Sequence, residues 1–240
     1  MGLGGMGGRR IIGSMKDTEV QLWRASLARD DAAERLAGLL SADEVARAER
    51  FLRDGDRARF IVARATLRRI LGACLGVAPA AVRFVYGPYG KPALAPEYAS
   101  ALQFSLAHSG DWALYAVARG RRVGVDVEGL SGARDELAIA RRFFAADEIE
   151  RLTALEGAAR RQAFVTLWTV KEAYAKALGG PLVVGLRGAT VRLDAGPVPV
   201  LQIVDPGTSR WSLRLVEPAP GYLGAVVAEG RDWTLTTGPA

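Results

Sequence analysis

The chain has 240 residues, of which 50% are hydrophobic and 24% are charged, and its net charge is +6. This length allows a substantial core, in one large domain or in two small halves. The sequence has no run of about 18 apolar residues, which excludes a typical transmembrane helix. Its single cysteine, Cys74, excludes an internal disulfide and fits a reducing cytoplasm. The positive charge comes mostly from arginine and favours an anionic partner.

The N-terminal part of the sequence predicts a mixture of strands and helices. Residues 1–17 lack the apolar stretch of a secretory signal, and we expect a disordered leader there. Strands are expected at 20–27, 81–87, 102–108 and 111–118, and helices at 31–40, 41–51 and 56–75. Ser41 and Glu44 form a capping box at the start of the second helix. Cys74 lies on the apolar stripe of the third helix, so we expect a buried structural thiol.

The C-terminal part begins with an acidic strand and continues with helices. The strand covers residues 123–128, and its Gly124 permits the close approach of another backbone or of a ligand. Helices are expected at 135–145, 146–155 and 157–178, the last ended by a glycine pair, and the remainder is expected to be nearly all strand. This pattern predicts two α+β halves, 18–120 and 121–240.

Two charged segments carry the most chemical information. Asp126 and Glu128 are two residues apart in the acidic strand, so their carboxylates share one face. Trp168, Glu172 and Lys176 recur every four residues and share one face of a helix. If the segments meet, three carboxylates converge beside lysines, a set that suits a divalent metal ion bound to phosphate oxygens. Each segment alone also fits a solvated surface, where Glu–Lys helix pairs are common.

The other candidate residues are ambiguous by themselves. His108 is the sole histidine, and it suits either a structural hydrogen bond or a contact to phosphate. Zinc is not expected, because the sequence has neither a histidine-rich nor a cysteine-rich cluster. Lys91 precedes Pro92 in a predicted turn. Its side chain is expected to be solvated unless it contacts a ligand. Arg64 lies at the edge of the apolar stripe of the helix predicted at 56–75. Among the arginines of that helix, it is the one best placed to contact a ligand.

Taken together, these segments resemble a known family. The motifs FSLAHS (104–109), GVDVE (124–128), RRFF (141–144) and WTVKEAYAKALG (168–179) occur in the order found in the surfactin-synthetase type of 4'-phosphopantetheinyl transferase, in its subgroup with tryptophan and Lys-Glu-Ala. Residues 50–71 and 89–94 are also similar to that family. The resemblance implies an α+β fold: a pseudo-dimer of two similar α/β halves, with the active site in the cleft between them.

The same resemblance implies an activity and its machinery. Such an enzyme moves the 4'-phosphopantetheine arm of coenzyme A to a serine of an apo acyl or peptidyl carrier protein and releases adenosine 3',5'-bisphosphate. It implies Mg²⁺ as cofactor, with Mn²⁺ as a possible substitute. By position, Asp126, Glu128 and Glu172 are the implied metal ligands, and Glu172 is also the candidate base for the carrier serine. Lys176 is the implied pyrophosphate contact and acts with Glu172 in catalysis.

The expected coenzyme A contacts extend along both halves. By resemblance they are Arg47, Lys91 with Pro92, His108, Lys171 and Lys176, and the position of Arg64 adds one more. Two residues depart from the family pattern: Ala107 stands where serine or threonine is frequent, and Glu44 stands where some members are basic. Trp168 is expected to pack its helix onto the acidic strand.

We expect the protein to be a cytoplasmic monomer that binds an acidic carrier protein. We expect it to bind neither nucleic acid nor a membrane. We expect the carrier protein to dock near residues 141–158, where Arg141 and Arg142 adjoin Phe143 and Phe144. The alternative is a basic nucleic-acid-binding module without catalysis, which the net charge and the arginine-rich residues 50–69 favour.

Overall fold

The computed structural model describes residues 15–28, 30–132, 134–192, 200–203 and 211–238. Most of the expected leader, residues 1–14, lies outside these ranges, whereas Met15 is buried in the N-terminal core. Within the described ranges, no helix has the length and apolar character needed to cross a membrane.

The first part of the chain builds a sheet with helices packed on it. Its elements are β1 (Glu19–Ser26), α1 (Asp30–Ala37), α2 (Ala42–Ala48), α3 (Asp54–Leu75), β2 (Phe84–Tyr86), β3 (Pro92–Leu94), β4 (Leu102–Ser109) and β5 (Trp112–Arg119). Strand β5 pairs antiparallel with both β1 and β4, and β2 and β3 form a separate hairpin. The capping box forms as predicted, because the amide of Ser41 donates to Glu44 Oε2 at 3.0 Å.

The second part has a three-stranded sheet against one long helix. Its elements are β6 (Val123–Gly129), α4 (Glu136–Phe143), α5 (Ala146–Thr153), α6 (Gly157–Leu178), α7 (Leu182–Gly188), β7 (Ala189–Arg192), β8 (Val200–Ile203), β9 (Trp211–Val216), β10 (Tyr222–Glu229) and β11 (Thr234–Thr237). Strand β10 lies between β6 and β9, antiparallel to both, and β7 and β8 form a hairpin. Strand β11 returns to the first sheet, where it pairs parallel with β1.

The two parts share a plan, and the expected α+β class is confirmed. Each has a helix of 22 residues, α3 in the first and α6 in the second, packed on its sheet. Each of these helices ends at a glycine with φ of 70°, Gly76 and Gly179, a left-handed conformation that glycine adopts without steric cost. This correspondence is what a pseudo-dimer of two similar halves predicts.

A shared core joins the halves. Val123, Val125 and Val127 of β6 are buried and pack with residues of β1 and β5. The amide of Val125 also donates to Ser105 Oγ of β4 at 3.1 Å, so β4 and β6 are adjacent at the boundary between the sheets. Because successive residues of a strand face opposite sides, the acids of β6 face away from this core.

Four local predictions differ from the structure. Residues 182–188 form helix α7 rather than strand, because a short apolar run does not by itself distinguish the two. The strand expected at 81–87 is reduced to β2 by a 3₁₀ turn at Pro79–Ala81. Strand β11 lies in the region expected to be nearly all strand, but its pairing with β1, away from the second sheet, was not predicted. Cys74 is half-buried rather than buried, and burial raises the pKa of its thiol to about 11.

Candidate active site

Strand β6 and helix α6 are in direct backbone contact at Gly124. A Cβ atom at this position would lie 1.9 Å from the carbonyl oxygen of Ala173 and 2.5 Å from the amide nitrogen of Ala177. Glycine is therefore needed for the approach, as the sequence predicted. Since residues two and four positions further along a strand share its face, Asp126 and Glu128 also point toward α6.

Lys176 joins the acidic strand to the helix. Its Nζ lies 2.6 Å from Asp126 Oδ1 and 3.6 Å from Glu172 Oε2, one turn earlier on α6. Burial tends to lower the pKa of Lys176, but the two carboxylates outweigh it and raise the pKa. The ammonium therefore stays charged between them.

Asp126 is the most buried of the three acids, with 3% of its surface exposed. Burial raises its pKa to about 7; the charge of Lys176 opposes this rise, and the negative charges of Glu172 and Glu128 add to it. Among the described residues, no donor reaches its buried Oδ2. A buried carboxylate oxygen without a hydrogen-bond donor is costly, so Oδ2 is left unsatisfied although Lys176 pairs with Oδ1.

The fit of this group to a metal ion can be tested on these contacts. Across the described part of the chain, no three His, Cys, Asp or Glu side chains lie close enough to form a finished metal site. The ammonium of Lys176 takes the place between Asp126 and Glu172 instead. The orphaned Oδ2 and the mutual repulsion of the acids nevertheless match the oxygen-rich, anionic set that Mg²⁺ prefers. The donor set therefore fits a divalent ion, provided that Lys176 turns away from Asp126.

A cavity of about 560 Å³ opens beside Lys176. Its walls are the turn between β2 and β3 with Lys91 and Pro92, residues 104–106 of β4, and the segment from the end of α6 to Leu182. Phosphate-sized and ring-sized groups fit a cavity of this volume. Lys91 and Lys176, the latter paired with Asp126, thus both line a cleft between the two halves.

Lys91 reaches across the cleft to the C-terminal end of α6. Its Nζ donates to the carbonyl oxygen of Lys176 at 2.5 Å and lies 3.5 Å from those of Val123 and Ala177. A cation at this end of a helix is favourable, because the carbonyl groups there carry partial negative charge. Burial, and then the charge of Arg122, lower the pKa of Lys91 to about 8.

Comparison with known proteins decides the family. Residues 122–234 match the model described as the 4'-phosphopantetheinyl transferase superfamily, and residues 22–119 match the model described as 4'-phosphopantetheinyl transferase, N-terminal. The 4'-phosphopantetheinyl transferase HetI of Nostoc sp. is 39% identical over 217 residues, which cover 90% of each chain. The chain belongs to the 4'-phosphopantetheinyl transferase family of enzymes.

Other relatives of this transferase share less of its sequence. The 4'-phosphopantetheinyl transferase psf-1 of Bacillus pumilus is 32% identical, over 72% of each chain. The 4'-phosphopantetheinyl transferase Sfp of Bacillus subtilis is 28% identical, over 83% of this chain and 87% of its own. These matches confirm that the protein is an enzyme of the 4'-phosphopantetheinyl transferase family.

Several predicted coenzyme contacts of the transferase lie outside the cavity. Arg64 is buried, with its Nε 2.5 Å from Glu44 Oε1, its guanidinium 4.6 Å from the centre of the Phe84 ring, and a hydrogen bond to the Tyr86 hydroxyl. Glu44, which departs from the family pattern, thus serves as the partner of Arg64. Arg47 is exposed, and its guanidinium lies over the ring of Phe60 at 5.4 Å.

His108 lies near Lys176. It is an exposed residue of β4, yet the surrounding protein lowers its pKa, first by desolvation and then through the charge of Lys176. At neutral pH the imidazole is therefore neutral, and one of its ring nitrogens is a hydrogen-bond donor.

Lys171 does not point into the cleft. Its Nζ is 2.9 Å from Glu148 Oε2, donates to the carbonyl oxygen of Leu186 at 3.0 Å and also bonds that of Ala189. Both Lys171 and Glu148 are 1% exposed. The expected coenzyme contact is not made in this arrangement, because neighbouring helix residues face different directions. Lys171 instead fastens α6 to α5 and α7.

Trp168 also differs from its prediction. Its ring lies 6.1 Å from the rings of both Phe143 and Phe164 and 6.5 Å from that of Phe144. It therefore packs α6 against the end of α4 rather than against the acidic strand. Phe144 is buried, and Phe143 is half-buried beneath the guanidinium of Arg142.

Two site residues escaped the sequence analysis. Ser109 Oγ donates to Glu128 Oε2 at 3.3 Å, and Arg134 Nη2 lies 2.8 Å from the same oxygen. Ser109 directly follows His108 at the end of the motif FSLAHS (104–109), so its place in that motif could have indicated a role in the site. Arg134 lies between β6 and α4, where neither strand nor helix spacing indicates which residues meet.

Proposed function

We propose that this transferase moves the 4'-phosphopantetheine arm of coenzyme A to a serine of an apo acyl or peptidyl carrier protein and releases adenosine 3',5'-bisphosphate. The observation that carries the proposal is the placement of Lys176 between Asp126 and Glu172, with Glu128 on the same face of β6 as Asp126, at the wall of a cleft between two halves of a chain of this family. Transfer of a phosphate-linked group needs mainly positioning and charge neutralisation, and this cleft provides both.

Lys176 is assigned to the pyrophosphate. In the ligand-free arrangement its ammonium neutralises Asp126 and Glu172, and the raised pKa keeps it charged when an anion arrives. Its side chain is 31% exposed, so it can turn from the carboxylates toward phosphate oxygens in the cavity. A lysine acts there as a flexible point charge.

Asp126, Glu128 and Glu172 would hold the divalent ion, which we assign as Mg²⁺ with Mn²⁺ as a substitute. When bound, such an ion neutralises charge on phosphate oxygens. Asp126 offers its unpartnered Oδ2, and strand β6 fixes Asp126 and Glu128 on one face.

Glu172 is assigned as the base that takes the proton of the carrier serine, directly or through a water. Burial raises the pKa of Glu172, and the charge of Lys176 opposes the rise, with a net increase. A carboxylate with a raised pKa is a stronger base near neutral pH. The serine oxygen then bonds to the phosphorus that carries the pantetheine arm. The bond from that phosphorus to the bridging oxygen of the nucleotide breaks, and the electron pair leaves with adenosine 3',5'-bisphosphate.

The nucleotide end is assigned to the cavity beside the β2–β3 turn. Lys91 and Pro92 line it, and His108 presents a neutral imidazole nearby on β4. Arg47 is exposed and available for the 3'-phosphate. Arg64 acts through its packing on Phe84 of β2, which supports the turn that carries Lys91.

The finer assignments follow the motifs. Trp168 with Lys171-Glu172-Ala173 supports placement in the surfactin-synthetase type with broad carrier range. We also propose a cytoplasmic monomer, for which the carrier-docking surface is the region 141–158, including exposed Arg141 and Arg142. The nucleic-acid-binding alternative is not favoured, because the family models cover both halves of the chain.

The reaction is tested by mass spectrometry of an apo carrier protein incubated with coenzyme A, Mg²⁺ and this chain. We expect a gain of one phosphopantetheine on the carrier and an equal amount of adenosine 3',5'-bisphosphate. Glu172→Ala provides the control for the site. An unmodified result for a panel of acyl and peptidyl carriers would refute the proposal, and a salt-sensitive gel shift with duplex DNA would then favour the alternative.

A further inference from the structure

Arg134 lies at the outer edge of the carboxylate group. Its Nη2 is 2.8 Å from Glu128 Oε2, the oxygen that also accepts from Ser109 Oγ at 3.3 Å. The Arg134 side chain is 35% exposed and that of Glu128 is 17% exposed.

The backbone around Arg134 is anchored on both sides. Arg161 of α6 bonds the carbonyl oxygen of Gly132, and its Nε lies 3.1 Å from Glu136 Oε1. Asp135, the next residue, caps α4 by accepting from the amide of Ala138 at 2.9 Å. The guanidinium can therefore change partner by side-chain rotation alone, while its backbone stays in place.

The charges of the group form a distinct arrangement. Two carboxylates share Lys176, and the third, Glu128, has Arg134. The three acids and two bases leave one net negative charge, so a divalent ion that binds all three acids competes with both bases. For Asp126 and Glu172 the ion competes with Lys176, which belongs to the proposed machinery. For Glu128 it competes with Arg134, which belongs to none of the sequence motifs.

We propose that Arg134 is an exchangeable counter-ion of Glu128. Without substrate it holds Glu128 and opposes premature metal binding. When Glu128 turns to the ion, the freed guanidinium moves to the pyrophosphate of coenzyme A, for which its planar donor pair is suited. Arg134 is thus a positioning residue for Glu128 and a contact to the anionic substrate. The inference rests on the proposed function, because it presupposes a divalent ion and a pyrophosphate in this cleft.

The test measures two equilibria separately by titration calorimetry on the full chain: Mn²⁺ binding without coenzyme A, and coenzyme A binding with Mg²⁺ present. For Arg134→Ala we expect Mn²⁺ to bind about fivefold more tightly and coenzyme A about fivefold more weakly, the range of a partly exposed ion pair. Arg134→Lys should keep the Mn²⁺ affinity of the wild type and recover part of the coenzyme A affinity. Circular dichroism melting checks that each variant is folded.

Two controls separate charge from geometry. Arg57→Ala removes an equal charge from an exposed pair of the same 2.8 Å length, with Asp54, on α3, and should change neither affinity. Ser109→Ala removes the second donor to Glu128 without changing charge, and should not tighten Mn²⁺ binding.

The outcomes distinguish failure of this inference from failure of the proposed function on which it rests. Weaker Mn²⁺ binding in Arg134→Ala, or affinities that match those of Arg57→Ala, would overturn the exchange. If the wild-type chain itself binds neither Mn²⁺ nor coenzyme A, the proposed function fails and the inference fails with it.

Discussion

Gly124→Ala should separate the two walls of the proposed site. The added Cβ would lie 1.9 Å from the carbonyl oxygen of Ala173, whereas ordinary contact begins near 3.4 Å, so helix and strand must part by about 1.5 Å at this point. The three atoms nearest to the Cβ all belong to the backbone of α6, and no side-chain rotation relieves the clash. The strain falls two residues from Asp126.

The magnitude follows from two effects. Overpacking of a well-packed contact costs about 1–3 kcal/mol of unfolding free energy. A displacement of about 1 Å between catalytic groups can lower a rate about 10²-fold. We therefore expect Gly124→Ala to fold with reduced stability and to lose about 10²-fold in carrier modification, because the acids of β6 no longer match Glu172 and Lys176.

The assay combines urea denaturation with the rate of carrier modification followed by mass spectrometry. Gly188→Ala is the matched control, because a Cβ there meets nothing within 4 Å, and it should leave both quantities near those of the wild type. A Gly124→Ala protein with the wild-type free energy of unfolding and a rate within threefold of wild type would refute the backbone contact.

Three further predictions concern the site and its support. Glu172→Gln should lower the rate of carrier modification about 10²–10³-fold with the fold intact, judged by thermal melting; an unchanged rate would remove its role as base and ligand. The ratio of coenzyme A affinities between the wild type and Lys91→Met should be largest at pH 7 and shrink through pH 8 and above, because the lowered pKa of about 8 means that Lys91 loses its charge as pH rises; a ratio constant from pH 6.5 to 9.5 would contradict this sign. Lys171→Met should lower the free energy of unfolding by about 3–5 kcal/mol in urea titrations, because it leaves Glu148 buried without its cation; a loss below 1 kcal/mol would show that the pair is not a structural anchor.

The sequence identified the elements of the site better than their surroundings. The alternation of valine with acids in residues 123–128 predicted both the strand and its inward valines, because a strand with one core face has a period of two. Helix α6 spans the predicted residues 157–178, because its glycine stop is a local signal. Gly124 was recognised as a point of close approach, and the structure supplies the partner, α6.

The sequence did not indicate which residues that are distant in the chain contact one another. Lys171 was expected at the coenzyme because it adjoins Glu172, but its direction depends on Glu148, 23 positions earlier in the chain. Strand β11 pairs with β1 across nearly the whole chain, and no local pattern indicates such a pairing. Arg134 reaches Glu128 from a connecting segment. In each case the partner is set by tertiary packing rather than by spacing.

The central claim is that Asp126, Glu128 and Glu172 form a metal-dependent transfer site with Lys176. Its most direct test is a crystal structure of the chain with coenzyme A and Mn²⁺, in which anomalous scattering locates the ion. We predict an anomalous peak within coordination distance of Asp126 Oδ2, with Lys176 turned to the pyrophosphate. A bound coenzyme A with no peak at these carboxylates, and with Lys176 still on Asp126, would contradict the account.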